Sequence, residues 1–251
     1  MRQTRLNEMN KYIMEKSAVS YEEMCQKFGI SINTARRDID TLAAEGSIVK
    51  TYGGAAVNKN TGLVSYNERH ISNISDKTMI AKEAAKLLED GDIVFFDSGT
   101  TVPMVLEHVG DMRLTVITAS FDVLVKGFER RNIDIYSMPG RLNRETNSFQ
   151  EIGISKHLMS FNINKAFMSA SGYSINGGVT TSAPWEYQIK KAVLSKEADK
   201  YLLIDKSKFD RTQMFKYADA GDFNYIITSA KPEDKYLDFF EENNIDLIIS
   251  D

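Results

Sequence analysis

Apolar residues in the first forty positions recur at helical spacing, in three stripes separated by short breaks. Leu6, Met9 and Ile13, with Met14 beside them, predict a helix over Arg2 to Lys16 with one buried face. Met24, Cys25 and Phe28 predict a second, opened by Ser20 as N-cap with Glu22 and Glu23 in its first turn, and closed by Gly29. Ile32, Ala35, Ile39 and Leu42 share one face of a third helix, which Ser31 caps. Two helices joined by a short glycine-containing turn form a helix-turn-helix, whose second member is placed to enter a DNA major groove. The period then changes. Ile48 to Tyr52 is β-rich and ends at Gly53-Gly54, which predicts a small hairpin or wing.

From Lys77 onward, helical and strand patterns alternate. Ile80, Ala81, Ala84, Ala85, Leu87 and Leu88 predict a helix, Asp90-Gly91-Asp92 a turn, and Ile93 to Phe96 a strand. Further short apolar runs, rich in β-branched residues, lie at 114–118, 133–138, 165–169, 201–205, 225–228 and 245–249. Continuous runs of this kind suit strands buried on both faces of a parallel sheet. Helical segments lie between most of them, including 184–195 and 232–242, each with Pro near its start. Asn58 to Ser75 is polar with little periodicity. The expected organisation is a winged helix-turn-helix over 1–57, a linker over 58–75 and a larger, mainly parallel α/β domain over 76–251.

The outward face of the third helix carries Asn33, Arg36, Arg37 and Asp40. Arg reads guanine O6 and N7, Asn reads adenine N6 and N7, and either holds a phosphate. Ser31, Asn33, Thr34, Arg36 and Arg37 are therefore candidate DNA contacts, with Lys50 and Tyr52 of the wing against the sugar-phosphate backbone. The plain alternative is an amphipathic surface helix followed by a solvated hairpin. In the α/β domain, ligands bind outside the carboxyl ends of the strands. There Asp97-Ser98-Gly99-Thr100-Thr101 turns tightly at Gly99, and Thr100 and Thr101 begin the next helix, where free N–H groups and hydroxyls favour an anion. A capped strand-to-helix turn is the alternative here. Arg141 in a Pro-Gly turn, the small-residue loops 169–172 and 177–181, and Lys208 in Asp-Lys-Ser-Lys-Phe lie at further strand ends. No Gly-x-Gly-x-x-Gly follows a strand, so a dinucleotide is not the natural ligand.

Composition changes this picture little. The chain is 42% hydrophobic with net charge −4; eight Lys/Arg against seven Asp/Glu in residues 1–57 give +1 there and −5 in the remainder. That split permits DNA binding without demonstrating it. One cysteine excludes an internal disulfide framework, and three scattered histidines offer no metal-ligand spacing, so no cofactor or metal is expected. The N-terminus lacks a signal-peptide core and no run of about 18 apolar residues occurs. A cytoplasmic protein without a membrane partner is expected.

At this point a resemblance becomes specific. Arg5, Met9, Ile13, Ser31, Thr34 to Ile39, Leu42, Gly46 and Gly53-Gly54-Ala55 resemble the signature of the DeoR family of bacterial repressors. It continues through Asp90-Gly91-Asp92, Asp97 to Thr101, Leu114 to Thr118, Gly153, Ala170-Ser171-Gly172 and Asp205 to Phe209, and so covers nearly the whole chain. The resemblance implies a sensor domain similar in fold to ribose-5-phosphate isomerase that binds phosphorylated sugars or polyols. It places Asp97, Ser98, Gly99, Thr100 and Thr101 around the phosphate, with Arg141 and Lys208 as charged partners. The implied protein is a repressor of sugar or polyol catabolism, released from double-stranded operator DNA by a phosphorylated sugar, and acting as a homodimer or homotetramer. The alternative is a sugar-phosphate isomerase-like enzyme with an appended DNA-binding domain. Isomerisation needs a carboxylate base, and Ser169 to Gly172 holds none, so no enzymatic activity is expected. A winged helix used for protein contact is a third class, which Arg36-Arg37 beside Asn33 disfavours.

Overall fold

The computed structural model describes residues 2–44, 48–57, 65–151 and 153–250, and the chain divides into two units, 1–65 and 66–251. Gly46, the first part of the expected linker (58–64) and the side chain of Met14 lie outside the described residues.

The first unit contains α1 (Arg2–Lys16), β1 (Ala18–Ser20), α2 (Tyr21–Phe28), α3 (Ile32–Ala44), β2 (Ile48–Thr51) and β3 (Gly54–Val57). Leu6, Met9, Ile13, Met24, Ala35, Ile39 and Leu42 meet in one core. Ser20 and Glu23 form a reciprocal capping box at the start of α2. Gly29 ends that helix in the left-handed conformation (φ 61°, ψ 38°), where a side chain would add strain, and its N–H bonds Cys25 O. The hairpin β2–β3 forms with Gly53 in its turn, and β1 joins it to give the antiparallel order β1-β3-β2. Two details differ from the apolar pattern. Ile32 is 45% exposed, because the first turn of α3 projects beyond the core. Asp38 is buried and accepts from Arg5 Nε at 2.8 Å, so the acidic residue of the Arg-Arg-Asp run ties α3 to α1.

The second unit opens with α4 (Tyr66–Ile71) and α5 (Ile74–Ala85), followed by β4 (Ile93–Phe96) and a 3-10 segment, Val102–His108. Then come β5 (Leu114–Thr118), α6 (Phe121–Gly127), β6 (Ile133–Ser137), β7 (Arg141–Asn143), β8 (Ser148–Gln150), α7 (Ile154–Leu158) and β9 (Lys165–Ser169). The remaining elements are β10 (Gly172–Ser174), β11 (Gly178–Thr181), α8 (Pro184–Leu194), β12 (Asp199–Leu203), β13 (Phe215–Ala218), β14 (Tyr225–Thr228), α9 (Asp234–Glu242) and β15 (Asp246–Ile249). Seven strands form a parallel sheet in the order β15-β14-β12-β9-β4-β5-β6.

Successive strand residues point to opposite faces and both faces are covered. Val94, Phe96, Phe167 and Leu203 pack with α5, α6 and the 3-10 segment. Phe95, Ala166, Met168 and Leu202 pack with α7, α8 and α9. Residues 66–75, expected within the linker, instead carry α4 and the start of α5. Tyr66 is buried, and its hydroxyl donates to Asp122 Oδ2 at 2.5 Å, which fixes this segment to α6.

The topology places a crevice. From β4 the chain moves outward through β5 and β6, then returns to the other side of β4 for β9 and continues through β12. The loops after β4 and β9 therefore diverge, which opens a space above the carboxyl ends of those strands.

Candidate functional site

In the first unit, the Ser31 hydroxyl accepts from Thr34 N–H at 3.3 Å and pairs with the Thr34 hydroxyl at 3.0 Å. Those two hydroxyls shape the start of α3. Asn33, Arg36 and Arg37 are exposed on its outer face, and the Arg36 guanidinium lies 5.5 Å from the Tyr21 ring centroid. Lys50 Nζ bonds Asp40 Oδ1 at 2.8 Å, which links the wing to α3 and raises the lysine above its ordinary value. Tyr52 stands fully exposed at the wing tip. The predicted contacts thus share one unit: Asn33, Arg36 and Arg37 outward on α3, Lys50 tied to it through Asp40, and Tyr52 at the tip.

In the second unit, a cavity opens at the β4/β9 crevice. Gly99, Thr100, Thr101, Ser169, Ser171 and Lys208 line it, together with Arg69, Lys77, Glu186, Lys190 and Asp205. Gly99 is required by close approach, since a Cβ there would overlap the Ser169 hydroxyl. That hydroxyl is fixed in turn. Asp97 Oδ2 accepts from Ser169 N–H at 2.9 Å, from Ser169 Oγ at 2.6 Å and from the buried ammonium of Lys190, which also donates to Ser169 O at 2.9 Å. Asp97 and Ser98 are buried beneath the cavity and do not line it, so Asp97 braces the loop from below. The helix expected to start at Thr100 starts later, as a 3-10 segment from Val102, with Pro103 removing one donor from its first turn.

Arg141 stands apart. It is exposed on β7, paired with Gln150 of β8. The short β7–β8 hairpin follows β6, at the edge of the sheet two strands from β4, which keeps Arg141 out of the cavity lining.

Four charged lining residues, Arg69, Lys77, Glu186 and Lys190, are not singled out by the sequence. Lys77, on α5, is buried, and its ammonium donates to the carbonyls of Arg69 and of Ser72 (2.6 Å for the latter), closing the end of α4. Burial pushes it down to about 8; Lys208 and Arg69 push it the same way and Asp205 opposes them. Lys208 is lowered too, by burial first, with Arg69 and Arg211 lowering it further and Asp205 opposing. Asp205 is occupied by Ser207 N–H at 2.8 Å and Asn73 Nδ2 at 3.2 Å. Arg69, Lys77 and Lys208 thus place three cations around one carboxylate, an arrangement that an anion would relieve. Glu186 and Lys190 come from α8. The reading that loop 169–172 offers no carboxylate holds for the loop, yet Glu186 reaches the cavity from another element.

A winged helix-turn-helix unit joined to a parallel α/β unit with a cationic cavity at its switch point defines a DNA-binding regulator with a ligand-sensing domain. The DeoR-like helix-turn-helix domain matches residues 5–61, and the DeoR C terminal sensor domain matches residues 72–230. The HTH-type transcriptional regulator IolR of Bacillus subtilis is 38% identical over 98% of both chains. The lactose phosphotransferase system repressor of Staphylococcus aureus is 30% identical over 92% of this chain and 93% of its own. Among solved structures, ribose 5-phosphate isomerase A from Methanocaldococcus jannaschii covers 55% of each chain at 19% identity with a TM-score of 0.40. The chain belongs to the DeoR family of transcriptional regulators. Relatives matched over nearly its whole length are named as transcriptional regulators. No helix among the described residues is long and apolar enough to cross a membrane.

Proposed function

We propose that this regulator represses a sugar or polyol catabolic operon in the cytoplasm and leaves its operator when a phosphorylated sugar occupies the cavity between β4, β9 and β12. The observation that carries this reading is the cluster of Arg69, Lys77 and Lys208 beside the Gly99-Thr100-Thr101 backbone, on a chain whose other unit presents Asn33, Arg36 and Arg37 outward. A phosphate dianion offsets the mutual repulsion of those cations, and charge-assisted bonds to it are about twice as strong as neutral ones. The name of the lactose phosphotransferase system repressor supports a carbohydrate operon. One small reading head buries limited area, so specific binding requires a homodimer or homotetramer assembled through the α/β unit. The ligand shifts the operator-bound state only by its differential affinity for the two arrangements.

The direct test is a gel-shift titration on duplexes from upstream of the surrounding gene cluster, with and without a panel of sugar and polyol phosphates. Arg37→Ala is expected to weaken operator binding by roughly 1–3 kcal/mol, the range for one lost base contact. Unchanged affinity would remove Arg37 from the reading surface. Release should also depend on pH through Lys77. Its ammonium, lowered to about 8 in the empty cavity, is present below that value and lost as pH rises through it. Phosphate binds the ammonium form, so the effector concentration for half-release is expected to climb between pH 7 and 9. Lys77→Arg, charged throughout, should flatten that rise.

A further inference from the structure

The charged groups at the cavity fall into two sets. In one, Arg69, Lys77, Asp205 and Lys208 line the cavity together, and Lys77 and Lys208 both feel Arg69 and Asp205. In the other, Asp97 and Glu186 act together on the fully buried Tyr217, and Lys190 is matched by Asp97. Glu186 remains. It is only 7% exposed and lines the cavity from the first turn of α8. Its Oε2 accepts from Thr181 Oγ1 at 2.7 Å, while among the described residues no protein group donates to its Oε1, which is left open to the cavity. A largely buried carboxylate held by Thr181 through one oxygen, with the other open to the cavity, offers a fixed acceptor to whatever the cavity holds.

A carboxylate repels phosphate, so Glu186 faces the uncharged part of the ligand. An ionised carboxylate only accepts hydrogen bonds, and its complement is therefore a donor. The carbon chain of a sugar or polyol phosphate carries such donors as hydroxyls. Resting on the phosphate-binding reading above, we propose that Glu186 is the hydroxyl-reading residue of this cavity. Arg69, Lys77 and Lys208 hold the phosphate, and Glu186 Oε1 accepts from a hydroxyl of the attached chain. Selectivity follows from the same contact. Inorganic phosphate meets the cations but brings no carbon-chain hydroxyl to Glu186, and a site built to bond a hydroxyl discriminates strongly against a ligand that lacks it.

The test uses the full chain and isothermal titration with ribitol 5-phosphate, sorbitol 6-phosphate, fructose 6-phosphate and inorganic phosphate. Wild type is expected to bind at least one of the three organic phosphates about a hundredfold more tightly than inorganic phosphate. Glu186→Gln keeps an oxygen for Thr181, so the fold is preserved, which the melting temperature without ligand verifies. It is expected to shrink that preference about tenfold or more, with inorganic phosphate bound as well as before or better. A preference unchanged in Glu186→Gln and in Glu186→Ala overturns the assignment. So does a parallel loss of organic and inorganic phosphate, or a wild type that never prefers the organic ligands. Failure of the underlying reading looks different: wild type then binds none of the four, and Lys208→Ala changes nothing.

Discussion

Replacing Lys190 by methionine is expected to lower the unfolding free energy by about 3–5 kcal/mol, because it strands a buried carboxylate. The lysine ammonium meets Asp97 Oδ2 and donates to Ser169 O, and it lies 5.1 Å from the Tyr217 ring centroid. Methionine matches the length and bulk of the aliphatic stem, so little is lost in packing. What is lost is the countercharge. Asp97, itself buried, would keep its two bonds from Ser169 as its side-chain partners among the described residues. The measurement is a urea titration of the whole chain, followed through the transition of the α/β unit, with the slope checked so that a changed midpoint reports stability. Asp97→Asn combined with Lys190→Met should recover part of the loss, since both charges are then absent. A single variant with the wild-type midpoint would show that Asp97 is neutral or solvated in solution, and the account of the loop's bracing would fail.

The same pair marks the limit of what could be read from the chain. Leu6, Met9, Ile13, Ala35, Ile39 and Leu42 were legible as core because a two-sided environment leaves a periodic imprint, and all six are buried. The parallel strands were legible for a related reason, since burial on both faces excludes polar residues from them. Shorter pieces leave no such imprint. β1, β10 and β13 have three or four residues each, and β10-β11-β13 packs as an antiparallel layer that no alternation announced.

Gly99, Thr100, Thr101 and Lys208 stand out in the sequence because they sit in loops at strand ends, and all four line the cavity. Arg69, Lys77, Glu186 and Lys190 are not legible there because charged residues on helices are usually solvated. A signal was nonetheless present. Lys77 shares a helix face with Ile80, Ala81 and Ala84, all buried, and Lys190 lies one turn from Glu186 beside Ile189 and Val193. An ionisable residue on the apolar face of a helix is either paired or functional. Arg141 shows the converse: a residue that follows a strand stays out of the cavity lining when that strand lies two places away in the sheet order.

The second large effect concerns the ligand. Thr100→Ala combined with Lys208→Ala is expected to leave operator affinity unchanged while raising the effector concentration for half-release by about two to three decades. Lys208 is one of the three cations around Asp205, and losing one partner of a desolvated charge contact costs about 2–5 kcal/mol in binding. Thr100 lines the cavity beside Gly99, and on the proposed reading it helps to hold the same anion. Both residues belong to the second unit, and the first unit has its own core of Leu6, Met9, Ile13, Ile39 and Leu42, so the reading head should fold and bind as before. The decisive comparison sets gel shifts of the double variant on operator DNA beside titrations of the most effective sugar phosphate. A variant released at the wild-type concentration would place the phosphate elsewhere. One that no longer bound DNA at all would mean that the cavity stabilises the DNA-bound arrangement instead of relaxing it, which reverses the direction of control.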